Sequence, residues 1–483
     1  MKLFSTILTI LLFIFVTSAI SQDVSDPLTY QGMGQFTSIG VRTRAMGGAV
    51  VAVGNDLSAA FTNPAVLTKL KGLQFQVSGR YMTDSYDQTQ RWNPNRFYAD
   101  MSLMFENKLG DIKDPDVILN PTDRIHRPFD TLYPAWDRSL SASRPSMISV
   151  AMPFSLMNIP LAVGLSYSEI INLNHYYQNN NAINPVLGQY RPQPIPLVAQ
   201  GDTLPVDWYQ YMRRREGSIQ GITPSISISP FDDLHIGFSV SVLNGESDDD
   251  TYIKGRGRMR LLYNAFLLDS ANHSISTTGT SKYIGTLTTI GLMWNQDYFS
   301  LGVSLKPPAT ITRNWGKESL IDTSGVQQTV YSSGSDDLKL PWLYTLGVAI
   351  HPNDKWNLGI DYAIQNFSEA TYTFDQGSSI SPWINSAVLR IGAEYHFKKW
   401  LDLRFGAREE ATTFAPTGEG LIGEPEHGSA YTAGLGLKFN NVTVNLAGEY
   451  GIMRYNDLWQ SNVNTNTISS FTGMIEFGYQ LGQ

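Results

Sequence analysis

Residues 342–350 read Trp-Leu-Tyr-Thr-Leu-Gly-Val-Ala-Ile, a turn follows at His351-Pro-Asn-Asp354, and residues 356–365 read Trp-Asn-Leu-Gly-Ile-Asp-Tyr-Ala-Ile-Gln. In an extended chain successive side chains point to opposite faces. Trp342, Tyr344, Leu346, Val348 and Ile350 therefore share one face, and Trp356, Leu358, Ile360, Tyr362 and Ile364 continue it across the turn. The other face carries Thr345, Gly347, Asn357, Gly359 and Asp361. The hairpin returns with Leu389, Ile391, Ala393 and Tyr395 before Leu401, Leu403, Phe405 and Ala407. It returns again with Tyr431, Leu435 and Phe439 before Val442, Val444, Leu446 and Tyr450. Segments of about ten residues with a large apolar face and a small or polar one, separated by turns, are the mark of a transmembrane β-barrel. A soluble β-sandwich also alternates. Two features weigh against it: aromatics gather at strand ends (Trp342, Trp356, Tyr395, Trp400, Tyr431, Tyr450), and connections alternate between short and long.

Short turns are expected near 155–159, 230–233, 295–297, 351–354, 397–399 and 440–441, and long external loops near 83–145, 170–218, 246–282, 307–340, 366–386, 410–429 and 452–469. With strands at 72–82 and 470–481 closing the ring, the expectation is an all-β, antiparallel barrel of about 14 strands, an even number with both ends periplasmic. Phe97 to Glu106 would break that parity and is assigned to the first external loop.

Composition agrees. Charged residues make up 16% of the 483, against roughly 25% in soluble domains. A net charge of -8 speaks against nucleic acid as a partner, which calls for a basic face. There is no cysteine, so disulfide frameworks, thiolate metal sites, cysteine nucleophiles and a lipoprotein anchor are excluded. At the N-terminus, Lys2, the apolar run ILTILLFIFV at 7–16, and Ala19 and Ser21 before Gln22 form a secretory signal peptide over residues 1–21. The run is too short for a membrane span, which needs about 20 apolar residues.

Residues 22–71 differ again: they are rich in glycine and small side chains and show no period of two. A segment preceding a barrel with a polar lumen has a natural place inside it, as a plug, ahead of the barrel at 72–483. Arg44-Ala-Met-Gly-Gly-Ala49 (with Gly47 and Gly48), Gly54-Asn-Asp56 and Asn63-Pro64-Ala65-Val-Leu67 resemble the N-terminal hatch of FadL-type outer-membrane transporters. Leu340-Pro341, Asn353-Asp-Lys-Trp356 and Leu389-Arg-Ile-Gly-Ala-Glu-Tyr395 extend the resemblance to the C-terminus. It implies a 14-stranded barrel with a hatch in the bacterial outer membrane. It also implies passive uptake of long-chain fatty acids or other hydrophobic compounds, with lateral exit through the wall. The chain departs from the pattern in ending Tyr479-Gln-Leu-Gly-Gln483 rather than on an aromatic residue, and in its long, proline-bearing loops.

Chemistry is sparse. No histidine pair has zinc-ligand spacing, and neither a nucleophile elbow nor a phosphate-binding loop occurs. An enzyme is not expected, nor a metal or cofactor. Alternation turns Asp361, Arg390, Glu394 and Arg404 toward the lumen, with Arg408, Lys438 and Glu449. They form either an ion-pair network that fixes the plug or, at Arg390 or Arg404, a clamp for a substrate carboxylate. In the third long loop Lys254, Arg256, Arg258 and Arg260 repeat at period two, a solvated face or a match for lipopolysaccharide phosphates. Leu261, Leu262, Tyr263, Ala265, Phe266, Leu267 and Leu268 follow. They either pack on a neighbouring loop or form an external capture groove, the place such a groove takes in the family resembled. The expected protein is a monomer in contact with outer-membrane lipid that takes up hydrophobic small molecules; the alternative is a FadL-like barrel serving as a subunit or shuttle of a protein-secretion system.

Overall fold

The computed structural model describes residues 39–54, 56–92, 135–184, 204–261, 266–269, 273–381, 383–411, 427–459 and 462–481. The signal peptide, residues 22–38 of the hatch, Phe97 to Glu106 and Leu262 lie outside them.

The wall is one antiparallel sheet closed into a barrel of fourteen strands. Its passes are Leu73–Trp92, Trp136–Leu156, Ile159–Asn172 continued by His175–Asn184, Leu204–Phe231, Leu234–Leu261 and His273–Asn295. Phe299–Lys306 continued by Ala309–Thr323 comes next, then Val326–Leu340 continued by Leu343–Asn353. Trp356–Gln365, Ser386–Lys398, Leu401–Ala411, His427–Phe439, Val442–Trp459 and Asn462–Leu481 complete it. The last pass pairs with the first from Leu73↔Leu481 to Trp92↔Asn462, which leaves that seam no free edge. All six expected short turns are present. The first takes positive φ at Met157 and Asn158, the twist that matches a two-residue hairpin to its strands.

Alternation builds an apolar belt. On the first strand Phe75, Val77 and Tyr81 are exposed (40, 50 and 49%), whereas Gln76, Ser78 and Arg80 between them are buried. Aromatics ring the end with the tight turns, where Trp294 meets Phe299 (5.6 Å between ring centroids) and Trp356 meets Tyr395 (4.5 Å). An outward apolar belt with aromatic rims, short turns at one end and long arms at the other is the architecture of bacterial outer-membrane barrels.

The long connections differ from expectation. Where they are described, much of them is ladder rather than loop: Leu204–Phe231 and Leu234–Leu261 run 28 residues each, and 309–340 is a hairpin. Beyond Tyr81 the outward positions become Thr83, Ser85 and Asp87, with hydroxyl pairs Thr83–Ser141 (2.9 Å) and Ser85–Ser139 (3.0 Å). Inward positions there mix Met82 and Tyr86 with Asp84 and Gln88, so with the outward face polar the backbone keeps its period of two but the large outward apolar signal that reveals it is gone.

Candidate functional site

The interior holds the described part of the N-terminal segment. It consists of a short helix Val41–Ala45, a turn, a second helical turn Ala59–Thr62, and a 3-10 helix Pro64–Lys69. Pro64 suits the first helical position because its missing N–H would be unpaired there anyway. Asn63, fully buried, caps it: its Oδ1 accepts from the Ala65 N–H (3.2 Å), and its Nδ2 donates to the carbonyls of Val51 (2.7 Å) and Leu292 (3.0 Å). One side chain thus ties the helix start, the preceding turn and the wall together. Ile39, Leu57, Phe61 and Leu67 pack with Met147, Ile171, Leu243 and Leu287 in an apolar core inside the barrel.

The segment approaches so closely because the wall omits side chains beneath it. Gly237 and Gly291 lie under residues 63–65, Gly302, Gly347 and Gly359 under 49–53, and Gly392, Gly406 and Gly434 under 45–47. At each of these eight a Cβ would come closer than 3.0 Å to the segment. They occupy eight consecutive passes of the wall, and several are direct cross-strand partners, as in Gly359↔Gly392 and Gly392↔Gly406. Gly47 and Gly48 take positive φ (64° and 86°) at the turn above them.

Ion pairs lock the same interface. Arg42 meets Glu394 through two bonds (2.9 and 2.7 Å), and Arg404 of the wall reaches the same carboxylate (2.6 Å) and Asn445 (2.8 Å). Arg44 and Arg408 share Glu449 (2.6 and 2.5 Å). Asp361 accepts from the Val50 and Val51 N–H groups (2.7 and 3.0 Å). Asp361, Glu394 and Arg404 are thus engaged in holding the segment. Arg390 is placed differently.

Between segment and wall lies a partly open cavity of about 120 Å³, with Arg390 and Lys306 at its border. Val50, Val51 and Phe61 line it from the segment, and Ile170, Leu287 and Leu343 from the wall. An apolar cavity of roughly 150 Å³ holds a benzene ring, so this smaller one takes a few methylenes of a longer chain. Sequence reasoning missed Lys306, although Leu301, Val303 and Leu305 face out in alternation with it. It also missed Arg42 and Arg44, whose signal was two cations in an otherwise small-residue segment. The glycines stood in plain view as the inward half of each dyad.

The cavity abuts a break in the wall. Pairing between the second and third passes ends at Met147↔Ser168. The third pass bulges between Glu169 and Ile171, and its upper part, His175–Asn184, pairs among the described residues with Leu204–Phe231 alone. Ile170, at the bulge, lines the cavity.

Of the apolar run at 261–268, the described residues Leu261 and Phe266 to Leu268 are not brought to this site, and 262–265 lie outside the described residues. Leu261 pairs with Phe266 and Arg260 with Leu267 at the far end of an arm; 20 residues beyond Ser241 at the cavity, this is on the order of 60 Å along the strand. Of the four cations beneath it, Arg256 bonds Gln210 (2.8 Å) and Arg258 pairs with Asp207 (2.7 Å). Among the described residues no cluster of side chains could hold a metal ion.

No protein-family model matches the chain, and no curated protein matches it significantly. Solved structures do. A Pseudomonas aeruginosa FadL homologue superposes with a TM-score of 0.59 at 14% identity, covering 92% of this chain and 98% of that one. The toluene transporter TodX of P. putida gives 0.57 at 13% identity, over 92% and 99%. The monoaromatic hydrocarbon channel CymD gives 0.54 at 11%, over 92% and 98%. At such identities the likeness establishes the fold, which is of the FadL type; the proteins that share it are described as transporters and channels, not as enzymes.

Proposed function

We propose that the protein is a passive outer-membrane channel for hydrophobic compounds, that the N-terminal segment is its plug, and that its preferred substrates are amphiphiles with a carboxylate, such as long-chain fatty acids. The observation that carries this reading is the cavity between segment and wall, where an apolar patch of Val50, Val51, Phe61, Ile170, Leu287 and Leu343 is bordered by Lys306 and Arg390. A neutral hydrocarbon needs no cation, whereas a carboxylate leaving water needs a partner, and guanidinium matches its geometry. An open polar lumen gives alkyl chains no favourable path; an apolar pocket offers about 0.8 kcal/mol per buried CH₂.

The wall break at Ile170 supports lateral exit, because ligand leaving there moves from cavity to membrane without crossing the polar lumen. Substrate would arrive at the arms, where the sequence at 261–268 would supply an apolar surface, and where exposed Lys254 and Arg260 suit lipopolysaccharide phosphates. The barrel would work as a monomer, without cofactor or catalysis. Service as a subunit or shuttle in protein secretion has no need of an interior pocket bordered by cations, and the pocket favours the channel.

Equilibrium binding of a long-chain fatty acid and of the matching neutral alkane to detergent-purified protein tests the reading. Replacing Lys306 and Arg390 by Met should weaken fatty-acid binding by about tenfold or more, the worth of a charge-assisted bond, and leave the alkane unchanged. Equal effects on both ligands, or none, would reject the carboxylate assignment.

A further inference from the structure

The hairpin of Ala309–Thr323 and Val326–Leu340 rises above the barrel mouth. Val326–Leu340 pairs along its length with Ala309–Thr323. On its other side the ladder is confined to Asp337, Leu338 and Lys339 against Thr371–Thr373. Asp375 closes that junction: its Oδ1 accepts from the Ser335 N–H (2.9 Å), and its own N–H donates to Asp336 (3.2 Å). Above it, residues 326–334 have no second neighbour among the described residues. Residues 326–333 are all exposed, Val326 and Tyr331 to 74%.

The Asp375 bond also gives the phase of the edge. Backbone groups of successive strand residues point to opposite sides, both groups of one residue to the same side. Since the Ser335 N–H points to the free side, so do the N–H and C=O groups of Gln327, Thr329, Tyr331 and Ser333. Natural edges of this kind are blunted by lysine, proline or inward charge. Residues 326–334 read Val-Gln-Gln-Thr-Val-Tyr-Ser-Ser-Gly and contain none of these.

We propose that this edge is a docking site for an extended segment of another polypeptide, which adds to the hairpin as a further antiparallel strand. Alternating donors and acceptors at strand spacing are matched by a peptide backbone; lipid and carbohydrate lack that repeat. A second copy of the chain does not fit. Two upright barrels related by a two-fold axis would face these edges in parallel with the same odd-numbered residues opposed, whereas a parallel ladder bonds each residue to the neighbours flanking its opposite number. Beside the edge, on the outer face, Tyr331 and Ser333 open onto a groove of about 750 Å³ where Gly316 lacks a side chain. Asp248, Asp250 and Glu318 border it with Arg214, which is already paired with Asp250, while Lys317 is turned to the other face over the Trp315 ring. The balance favours a basic side chain on the added strand.

A synthetic peptide with the sequence of residues 315–323, the strand already paired with 326–334 and carrying Lys317, is the probe. It should bind the detergent-purified full-length protein. Thr329→Pro with Tyr331→Pro removes two free-edge donors, leaves the ladder to Ala309–Thr323 intact, and should weaken binding about tenfold or more. Tyr331→Thr keeps the backbone and should cost less than about threefold. Peptides N-methylated at alternate residues test the native protein itself: one alternation should abolish binding and the other should not. No binding by the native protein, native affinity in the double-proline variant, equal loss with Tyr331→Thr, or indifference to the methylation phase each overturns the proposal. So does a native dimer in sedimentation that the prolines dissolve.

Discussion

Asn63 ties together three backbone groups that belong to three different parts of the molecule: the Ala65 N–H of its own helix and the carbonyls of Val51 and Leu292. Asn63→Ala removes the bonds but leaves the carbonyls buried, a loss of roughly 1–3 kcal/mol for each group left unpaired. The wall should remain closed, since its ladder is untouched. The expected result is easier proteolysis of the N-terminal segment in a barrel whose heat-modifiability on gels stays native; native protease resistance would show that the glycine contacts and ion pairs suffice without the cap. The motif Asn63-Pro64-Ala65 is legible in the sequence because a capping asparagine before proline has a local reason to exist. Its bond to Leu292 is not legible, being 229 residues away. The same holds for Arg42 and Glu394, separated by 352 residues: alternation turns Glu394 inward, but only the folded segment chooses its partner.

Among the elements, the N-terminal segment and the arms carry opposite lessons. The segment is held by eight side-chain-free wall positions and by the shared carboxylates Glu394 and Glu449. Deleting residues 22–69 should therefore leave a barrel that inserts and conducts ions in planar bilayers, because polar inward residues then line an open lumen. Unchanged conductance would mean that the segment does not obstruct the path. The arms were expected as loops because their outward face loses its run of large apolar residues, yet their described backbones are ladder well beyond the belt. The apolar run at 261–268 rides on such an arm, far from the cavity. If it captures ligand, the motive force is alkyl burial at about 0.8 kcal/mol per CH₂. Replacing Leu262 and Phe266 together with Ser should then slow uptake, most for the longest chains, with cavity binding and barrel folding unchanged. Chain-length-independent uptake in a folded double variant would assign the run to arm packing.

At the scale of the whole molecule, the strand count, the closure of first on last and the six tight turns follow from dyad periodicity and loop parity, since a lipid-facing belt leaves little choice of residue. The height of the wall does not follow from them. Hairpin 309–340 climbs from Leu340, near the rim aromatic Trp342, to the turn at Ser324 and Gly325, where both residues take positive φ (55° and 86°). That is about 15 residues, or on the order of 50 Å of strand, enough to lift the tip well clear of the bilayer surface. Orientation then has a direct consequence. Tight turns belong to the periplasmic end of such barrels and long arms to the exterior, so an epitope inserted between Ser324 and Gly325 should be labelled by antibody on intact cells. The same epitope placed in the turn between Asn440 and Asn441 should be reached only after the outer membrane is permeabilised. The hairpin tip is the more stringent position, because nothing packs over it among the described residues and insertion there leaves the ladder below in register. Labelling of the second epitope but not the first on intact cells would invert the barrel and with it the direction of uptake.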